Sequence, residues 1–165
     1  MRKNKKAKED RRQNAIEYGF PCKWYESRTQ KQEDLAQYYH THQLVCGVGC
    51  AGTGKTYTTG MIAARMLVEG RIKQIVLTRP NVSTGRTLGL FPGDIKDKLA
   101  PWLAPITNVL KDGLGAVAYE KMVDTQILVQ PLETIRGMSF DDTFVIVDES
   151  QNLSLEEIKA LTTRS

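Results

Sequence analysis

The residues with the clearest chemical potential are the eight from Gly49 to Thr56, which read Gly-Cys-Ala-Gly-Thr-Gly-Lys-Thr. Their spacing, G-x-x-x-x-G-K-[ST], is that of a phosphate-binding loop. Glycines let the backbone curl so that successive N–H groups point at an anion, and a following helix adds the positive end of its dipole. We therefore expect a nucleoside triphosphate to bind here.

Single residues of this loop have separate expected roles. Lys55 should reach the β- and γ-phosphates, and the Thr56 hydroxyl should ligate Mg²⁺. The other residues expected to line the nucleotide are Gly49, Cys50, Ala51, Gly52, Thr53, Gly54 and Tyr57. A glycine-rich turn with a chance lysine is the alternative, and the apolar run before the loop and the helical pattern after it argue against that.

A second candidate group follows the apolar run from Thr143 to Val147, which leads directly into two carboxylates. This is the Walker B arrangement, in which a buried strand carries an acid to the carboxyl edge of a parallel sheet. We expect Asp148 to hold Mg²⁺ and Glu149 to take a proton from the water that attacks the γ-phosphate. Gln151 is expected to sense that phosphate. Solvated acids at a strand end are the alternative, and the upstream loop favours the catalytic interpretation.

The elements that must position these residues can be predicted from apolar periodicity. Strands are expected near 44–48, 74–79, 127–130 and 143–148, and helices near 30–40, 57–68, 102–111 and 154–163. Cys46 should then lie in a buried strand. Gly70 fits a helix C-cap, and Ser154 with Glu157 fits a capping box. Strands alternating with helices predict an α/β fold, a mostly parallel sheet flanked by helices.

Composition is that of a globular protein. The chain has 165 residues, of which 41% are apolar and 25% are charged. No apolar stretch approaches the roughly 20 residues that span a bilayer, and no signal-peptide pattern is present. The three cysteines lack zinc-site spacing and fit free thiols in a reducing compartment. A cytoplasmic protein without a membrane partner is expected.

The basic charge is concentrated at the N-terminus. The net charge is +4, yet residues 1–12 alone sum to +5 and the remaining residues to −1. We predict a disordered basic arm over 1–13, an N-terminal segment over 14–42 and the nucleotide-binding core over 43–165. The arm either contacts nucleic-acid phosphates or is a solvated tail.

The N-terminal segment also offers a candidate for reading the adenine base. In many helicase-type ATPases a glutamine upstream of the phosphate loop hydrogen-bonds to adenine, because its amide both donates and accepts. Gln30, Gln32 and Gln37 all lie upstream, and spacing alone leaves the three open.

Five short motifs occur in a specific order along the chain. They are Gly47–Thr56, Thr78–Pro80, Leu88–Asp94, Arg136–Gly137 and Asp148–Asn152. Together they resemble the PhoH-like family, RecA-type P-loop ATPase domains related to superfamily 1 helicases, over about Gln32 to Arg164, and the short chain resembles its phage-borne branch. The resemblance implies a RecA-like sheet, ATP, Mg²⁺, hydrolysis, association with RNA or single-stranded DNA, and ring-shaped homo-oligomers of the kind that the family includes. It also places the family's upstream glutamine on Gln32.

The chain departs from the family pattern at several points. Ser83 replaces a common glutamate, which puts any role for a carboxylate there in doubt, and Ser150 replaces an alanine. Arg164 falls on a family arginine, which either contacts phosphate across a subunit interface or complements a helix dipole. Related domains continue into further strands, so we expect a C-terminally truncated core that lacks the later strands.

Three functions follow from these residues. The first is Mg²⁺-dependent ATP hydrolysis coupled to nucleic-acid association, of a helicase-like kind. The second is a module that binds ATP and nucleic acid without efficient turnover, because the core is truncated. A small-molecule kinase is disfavoured, because Glu149 directly follows the metal acid and no acceptor-binding signature is present.

Overall fold

The computed structural model describes residues 25–80, 95–135 and 138–163. Several sequence predictions therefore lie outside the described residues. These are the basic arm over 1–13, Ser83, the Leu88–Asp94 motif, the Arg136–Gly137 pair and Arg164. The proposed division of the chain at residues 13 and 42 stays a prediction.

Within these ranges the chain forms six α-helices and three strands. The helices are α1 (Gln30–Thr41), α2 (Lys55–Val68), α3 (Ile95–Leu114), α4 (Ala116–Met122), α5 (Leu132–Ile135) and α6 (Leu155–Thr162). The strands are β1 (Gln74–Thr78), β2 (Ile127–Val129) and β3 (Thr143–Val147). None of the helices in the described ranges combines the length and the apolar character needed to cross a bilayer.

The strands form a parallel sheet in the order β2-β1-β3. Ile75 of β1 pairs with Ile127 on one side and with Phe144 on the other. The central strand is buried from Ile75 to Thr78, with Val76 and Leu77 at 0% exposure, as expected where helices cover a parallel sheet. The predicted α/β architecture is confirmed.

The predicted strand near 44–48 is not formed. Leu44 is 68% exposed, Val48 is 92% exposed and Cys46 is exposed, so the prediction of a buried strand is wrong. A strand forms only where a neighbour accepts its backbone hydrogen bonds. Among the described residues the sheet consists of β2, β1 and β3, and the segment 44–48 pairs with none of them.

Helix α3 is longer than its prediction, which placed a helix only near 102–111. It is one helix with Pro101 and Pro105 inside it. Interior prolines cost about 3 kcal/mol each, so packing must compensate. The buried side chains of this helix recur every three or four residues: Leu99, Leu103, Ile106, Leu110 and Leu114. Burial of that whole face overrides the local preference of the prolines.

Glycine permits the close approach of α2 to α3. A Cβ added at Gly60 would lie 2.7 Å from Val109 Cγ1 and 2.9 Å from Ile106 Cδ1, closer than side chains tolerate. We expect Gly60→Ala to lower the free energy of unfolding by about 1–2 kcal/mol, because overpacking outweighs the helix propensity gained. Urea unfolding measures this change.

The matched control for this prediction is Gly113→Ala on α3. An added Cβ there would meet Ala64 Cβ at 3.0 Å and Met61 Sδ at 3.2 Å, a looser site with one flexible neighbour. The Gly113 variant should therefore lose less stability than the Gly60 variant. Equal or reversed losses would contradict the close contact at Gly60.

Both predicted helix ends are confirmed. Gly70 has φ 66° and follows the C-cap of α2, where its N–H donates to the Leu67 carbonyl. Ser154 caps α6 and forms the capping box with Glu157. Helices α4 and α5, seven and four residues long, had no strong periodicity and were not predicted.

Candidate functional site

The Lys55 side chain closes the phosphate loop. Its Nζ donates to the carbonyl oxygens of Gly49 and Cys50, both at 2.7 Å. The Thr53 hydroxyl also donates to the Cys50 carbonyl, at 2.9 Å. An ammonium group has three donors, so one N–H of Lys55 remains for a phosphate oxygen. The lysine thus both shapes the loop and offers a positive charge to a phosphate.

Backbone geometry gives the loop its curvature. Gly52 has φ 77° and Gly54 has φ 85°, left-handed values that side chains other than glycine rarely adopt. Gly54 is the N-cap of α2, so Lys55, Thr56 and Tyr57 form its first turn. The N–H groups of a first helical turn lack intrahelical acceptors and favour an anion. Cys50 and Ala51 are exposed in the turn that precedes it.

Of the three candidate glutamines, Gln32 contacts the loop. Its Nε2 donates to the Thr53 carbonyl at 3.0 Å, and its Oε1 accepts from the Arg28 N–H at 2.8 Å. Gln30 instead bonds to Asp34 within α1. An amide has two donors and two lone pairs, so Gln32 keeps capacity for a further partner. Its role in reading adenine stays a prediction. In the structure it also fixes the loop through its bond to the Thr53 carbonyl.

Two tyrosines that sequence reasoning missed also join the N-terminal segment to α2. The Tyr25 hydroxyl lies 3.1 Å from Thr58 Oγ1, and the Tyr39 hydroxyl lies 2.7 Å from Thr59 Oγ1. Burial raises the pKa of Tyr39, which keeps its phenol protonated and able to donate. The Tyr25 ring also lies 6.3 Å from the Tyr57 ring. No motif marks these pairs, because they join residues 20 or more positions apart.

Replacing Gln32 with alanine should separate its two roles. Loss of the bond to Thr53 alone should weaken binding of ATP and GTP equally, by about three- to tenfold, because a hydrogen bond contributes about 1 kcal/mol. Loss of an adenine contact should weaken ATP binding and leave GTP binding less affected. Titration with fluorescent analogues of both nucleotides measures this difference.

Gln30→Ala is the matched control, because Gln30 bonds only within its own helix in the described structure. It should bind both nucleotides as the unchanged chain does. Unaltered affinities in the Gln32 variant would contradict both roles for that residue.

The two predicted carboxylates lie at the carboxyl end of β3. The Asp148 N–H donates to the Thr78 carbonyl at 3.0 Å, which fixes this end of β3 against β1. Glu149 has φ 53°, in the left-handed region. The Gln151 side-chain amide donates to the Glu149 carboxylate. Positive φ at a non-glycine residue is uncommon, and Glu149 shares it with Asp124 and Asp142 among the described residues.

Arg79 faces both carboxylates and was not assigned a role from sequence. Its Nη1 lies 3.6 Å from Asp148 Oδ2, and its Nη2 lies 3.8 Å from Glu149 Oε1. The signal was present in the sequence: Arg79 is the last residue of a predicted strand, and in the structure it directly follows β1. Recognising the pairing required the parallel register, in which Thr78 lies opposite Val147.

The residues expected to hold Mg²⁺ have suitable chemistry. Thr56 offers a hydroxyl and Asp148 a carboxylate, the hard oxygen donors that Mg²⁺ prefers alongside phosphate and water. The guanidinium beside Asp148 shows that this carboxylate already faces a cation. Thr56 lies on α2 and Asp148 follows β3, and these two described side chains do not hydrogen-bond to each other. Both side chains are thus of the chemical type that Mg²⁺ prefers, and their role in holding it stays a prediction.

Comparison with known proteins identifies the family of this chain. The family model described as PhoH-like protein matches residues 25–165. A PhoH-like protein of Bacillus subtilis is 41% identical over 138 residues, covering 83% of this chain and 43% of that protein. Protein PhoH of Escherichia coli K12 is 33% identical over 141 residues, covering 84% of this chain and 40% of that protein.

The chain thus spans about two fifths of the length of the curated relatives it matches. A PhoH-like protein of Synechocystis is 32% identical over 139 residues, with 42% of that protein covered. The family model covers nearly all of the chain outside the N-terminal arm. This chain belongs to the PhoH-like family.

Proposed function

We propose that this chain binds ATP with Mg²⁺ and hydrolyses it in a task associated with RNA or single-stranded DNA. The observation that carries the proposal is the closed phosphate loop, in which Lys55 bridges the Gly49 and Cys50 carbonyls and keeps one N–H free. Membership of a family of P-loop ATPases supports it.

Each residue has a defined part in the proposed reaction. Lys55 and the N–H groups of the first turn of α2 bind the phosphates, and Thr56 and Asp148 hold the metal. Mg²⁺, when bound, offsets negative charge that develops on the phosphates. Glu149 orients the attacking water and accepts its proton, while Gln151 holds the Glu149 carboxylate.

A second candidate is a module that binds ATP and nucleic acid without efficient turnover. The exposed segment 44–48 favours this candidate, because it enters the phosphate loop without support from a sheet. A loop that is not fixed by a strand holds phosphates less accurately, and small misplacements reduce rates strongly.

A phosphate-release assay distinguishes the two candidates. With ATP and Mg²⁺, hydrolysis predicts steady phosphate release that stops when EDTA is added and that rises with single-stranded RNA or DNA. Absence of release, together with ATP binding detected by thermal stabilisation, supports the binding module. Absence of both release and stabilisation contradicts nucleotide binding altogether.

The basic arm gives a separate prediction about nucleic acid. Deleting residues 1–12, which carry a local charge of +5, should weaken binding to single-stranded RNA and flatten its salt dependence by about three units of slope. Fluorescence anisotropy over a salt series measures both effects. An unchanged slope would show that the arm is a solvated tail.

A further inference from the structure

Arg79 occupies a defined place at the carboxyl edge of the sheet. It directly follows the central strand β1, and the parallel register brings it beside Asp148 after β3. Its guanidinium lies 3.6 Å from the Asp148 carboxylate and 3.8 Å from that of Glu149. One cation therefore lies near both acids of the proposed catalytic pair and offsets part of their charge.

The same guanidinium has a second set of contacts, on helix α3. Arg79 Nη1 donates to the Trp102 carbonyl at 3.3 Å, and Arg79 Cζ lies 5.1 Å from the centroid of the indole ring. Trp102 is 51% exposed, although large aromatic side chains are usually well buried. The Arg79 guanidinium thus contacts the two carboxylates and also Trp102.

The ion pairs of Arg79 with the two carboxylates are long. Charge-assisted hydrogen bonds are about 2.7–2.9 Å long, and both distances from Arg79 to the acids exceed that range. Partly exposed pairs of this kind contribute little stability each. The contacts to Trp102 would keep the Arg79 side chain beside α3 if those to the acids were lost, while its position over the ring could still change.

We propose that Arg79 is a positioning residue that competes with the metal for Asp148 and links occupancy of the site to helix α3. Without metal, Arg79 pairs with Asp148 and Glu149 and offsets part of their negative charge. When the metal is bound, Asp148 no longer pairs with Arg79. The guanidinium of Arg79 then shifts relative to the Trp102 ring. The proposal rests on the proposed function in taking Asp148 as the metal acid.

Competition with the metal can be measured without nucleotide or turnover. Mn²⁺ serves as the probe in place of Mg²⁺, and the free ion is counted by electron paramagnetic resonance. Arg79→Ala should bind Mn²⁺ about five- to tenfold more tightly, because two weak ion pairs no longer compete. Arg79→Lys keeps a charge there and should stay closer to the unchanged chain. Equal affinity in all three proteins would overturn the proposal.

Arg65→Ala is the matched control, since Arg65 pairs with Glu69 on α2 at 2.8 Å. It should bind Mn²⁺ as the unchanged chain does, and a tightening equal to that of the Arg79 variant would also overturn the proposal. Urea unfolding of each variant confirms that the compared proteins are folded.

A second readout follows the indole itself. The chain contains two tryptophans, so Trp24→Phe leaves Trp102 as the only tryptophan emitter. Adding Mn²⁺ should change Trp102 emission in this background and leave it unchanged when Arg79→Ala is added. A change of equal size in both proteins, or none in the first, contradicts the link to α3.

The outcome remains separable from the proposed function. Failure of every variant to bind Mn²⁺ alone would overturn the Arg79 proposal. ATP binding is measured separately with a fluorescent analogue, with Lys55→Ala as its control. That measurement tests the proposed function whatever the result with Mn²⁺.

Discussion

Lys55→Ala is expected to weaken binding of ATP and of ADP by about 10- to 100-fold, because hydrogen bonds to charged groups contribute about 1.5–3 kcal/mol. Two effects combine in this variant. The free N–H no longer reaches the β- and γ-phosphates, and the Gly49 and Cys50 carbonyls lose the ammonium that holds the loop closed. Isothermal titration of each nucleotide measures the loss.

AMP sharpens this experiment. It lacks the β- and γ-phosphates, so its affinity should change far less than that of ATP if Lys55 acts where expected. An equal loss for AMP and ATP would show that the variant has disturbed the whole loop. Unchanged ATP affinity would contradict the assignment of Lys55 to the phosphates.

Lys73→Ala is the matched control for charge. Lys73 pairs with Asp142 at 2.7 Å, and both side chains are about half exposed. Exposed pairs contribute at most about 1 kcal/mol to stability. This variant should therefore bind ATP as the unchanged chain does, while carrying the same change in net charge as Lys55→Ala.

The parts of the site that were predictable from sequence are those formed by consecutive residues. The phosphate loop is built within the eight residues from Gly49 to Thr56, so spacing alone indicated its curvature and its lysine. Strands β1 and β3 were predictable because each is a β-branched run too short for a helix. Asp148 and Glu149 followed directly from the end of one of them.

The predictions that failed depend on partners distant in sequence. An apolar run such as 44–48 becomes a strand only where a neighbour offers its edge. Pro101 and Pro105 lie inside a helix because its buried face packs against α2, which local propensity does not reveal. The contact of Arg79 with Asp148 depends on the register between β1 and β3. Sequence therefore indicated the chemistry, and the fold determined which groups meet.

The second large effect is expected from Glu149→Gln. Glutamine keeps the shape of the side chain and an oxygen that accepts from Gln151, but it does not take a proton from water. We expect single-turnover hydrolysis of ATP to slow by about 10²- to 10⁴-fold, the usual contribution of a general base. ATP affinity should remain near that of the unchanged chain, because Glu149 contacts water and not the nucleotide in the proposed reaction.

Glu156→Gln provides the matched control, since Glu156 lies exposed in the first turn of α6. It should hydrolyse ATP at the unchanged rate. Equal rates in the unchanged chain and in both variants, with measurable phosphate release, would remove Glu149 from the reaction. Release too slow to measure in all three, with ATP bound, would favour the module without turnover. Because the Glu149→Gln variant should keep the backbone conformation and the contact to Gln151, a rate loss without an affinity loss isolates proton transfer as the role of this carboxylate.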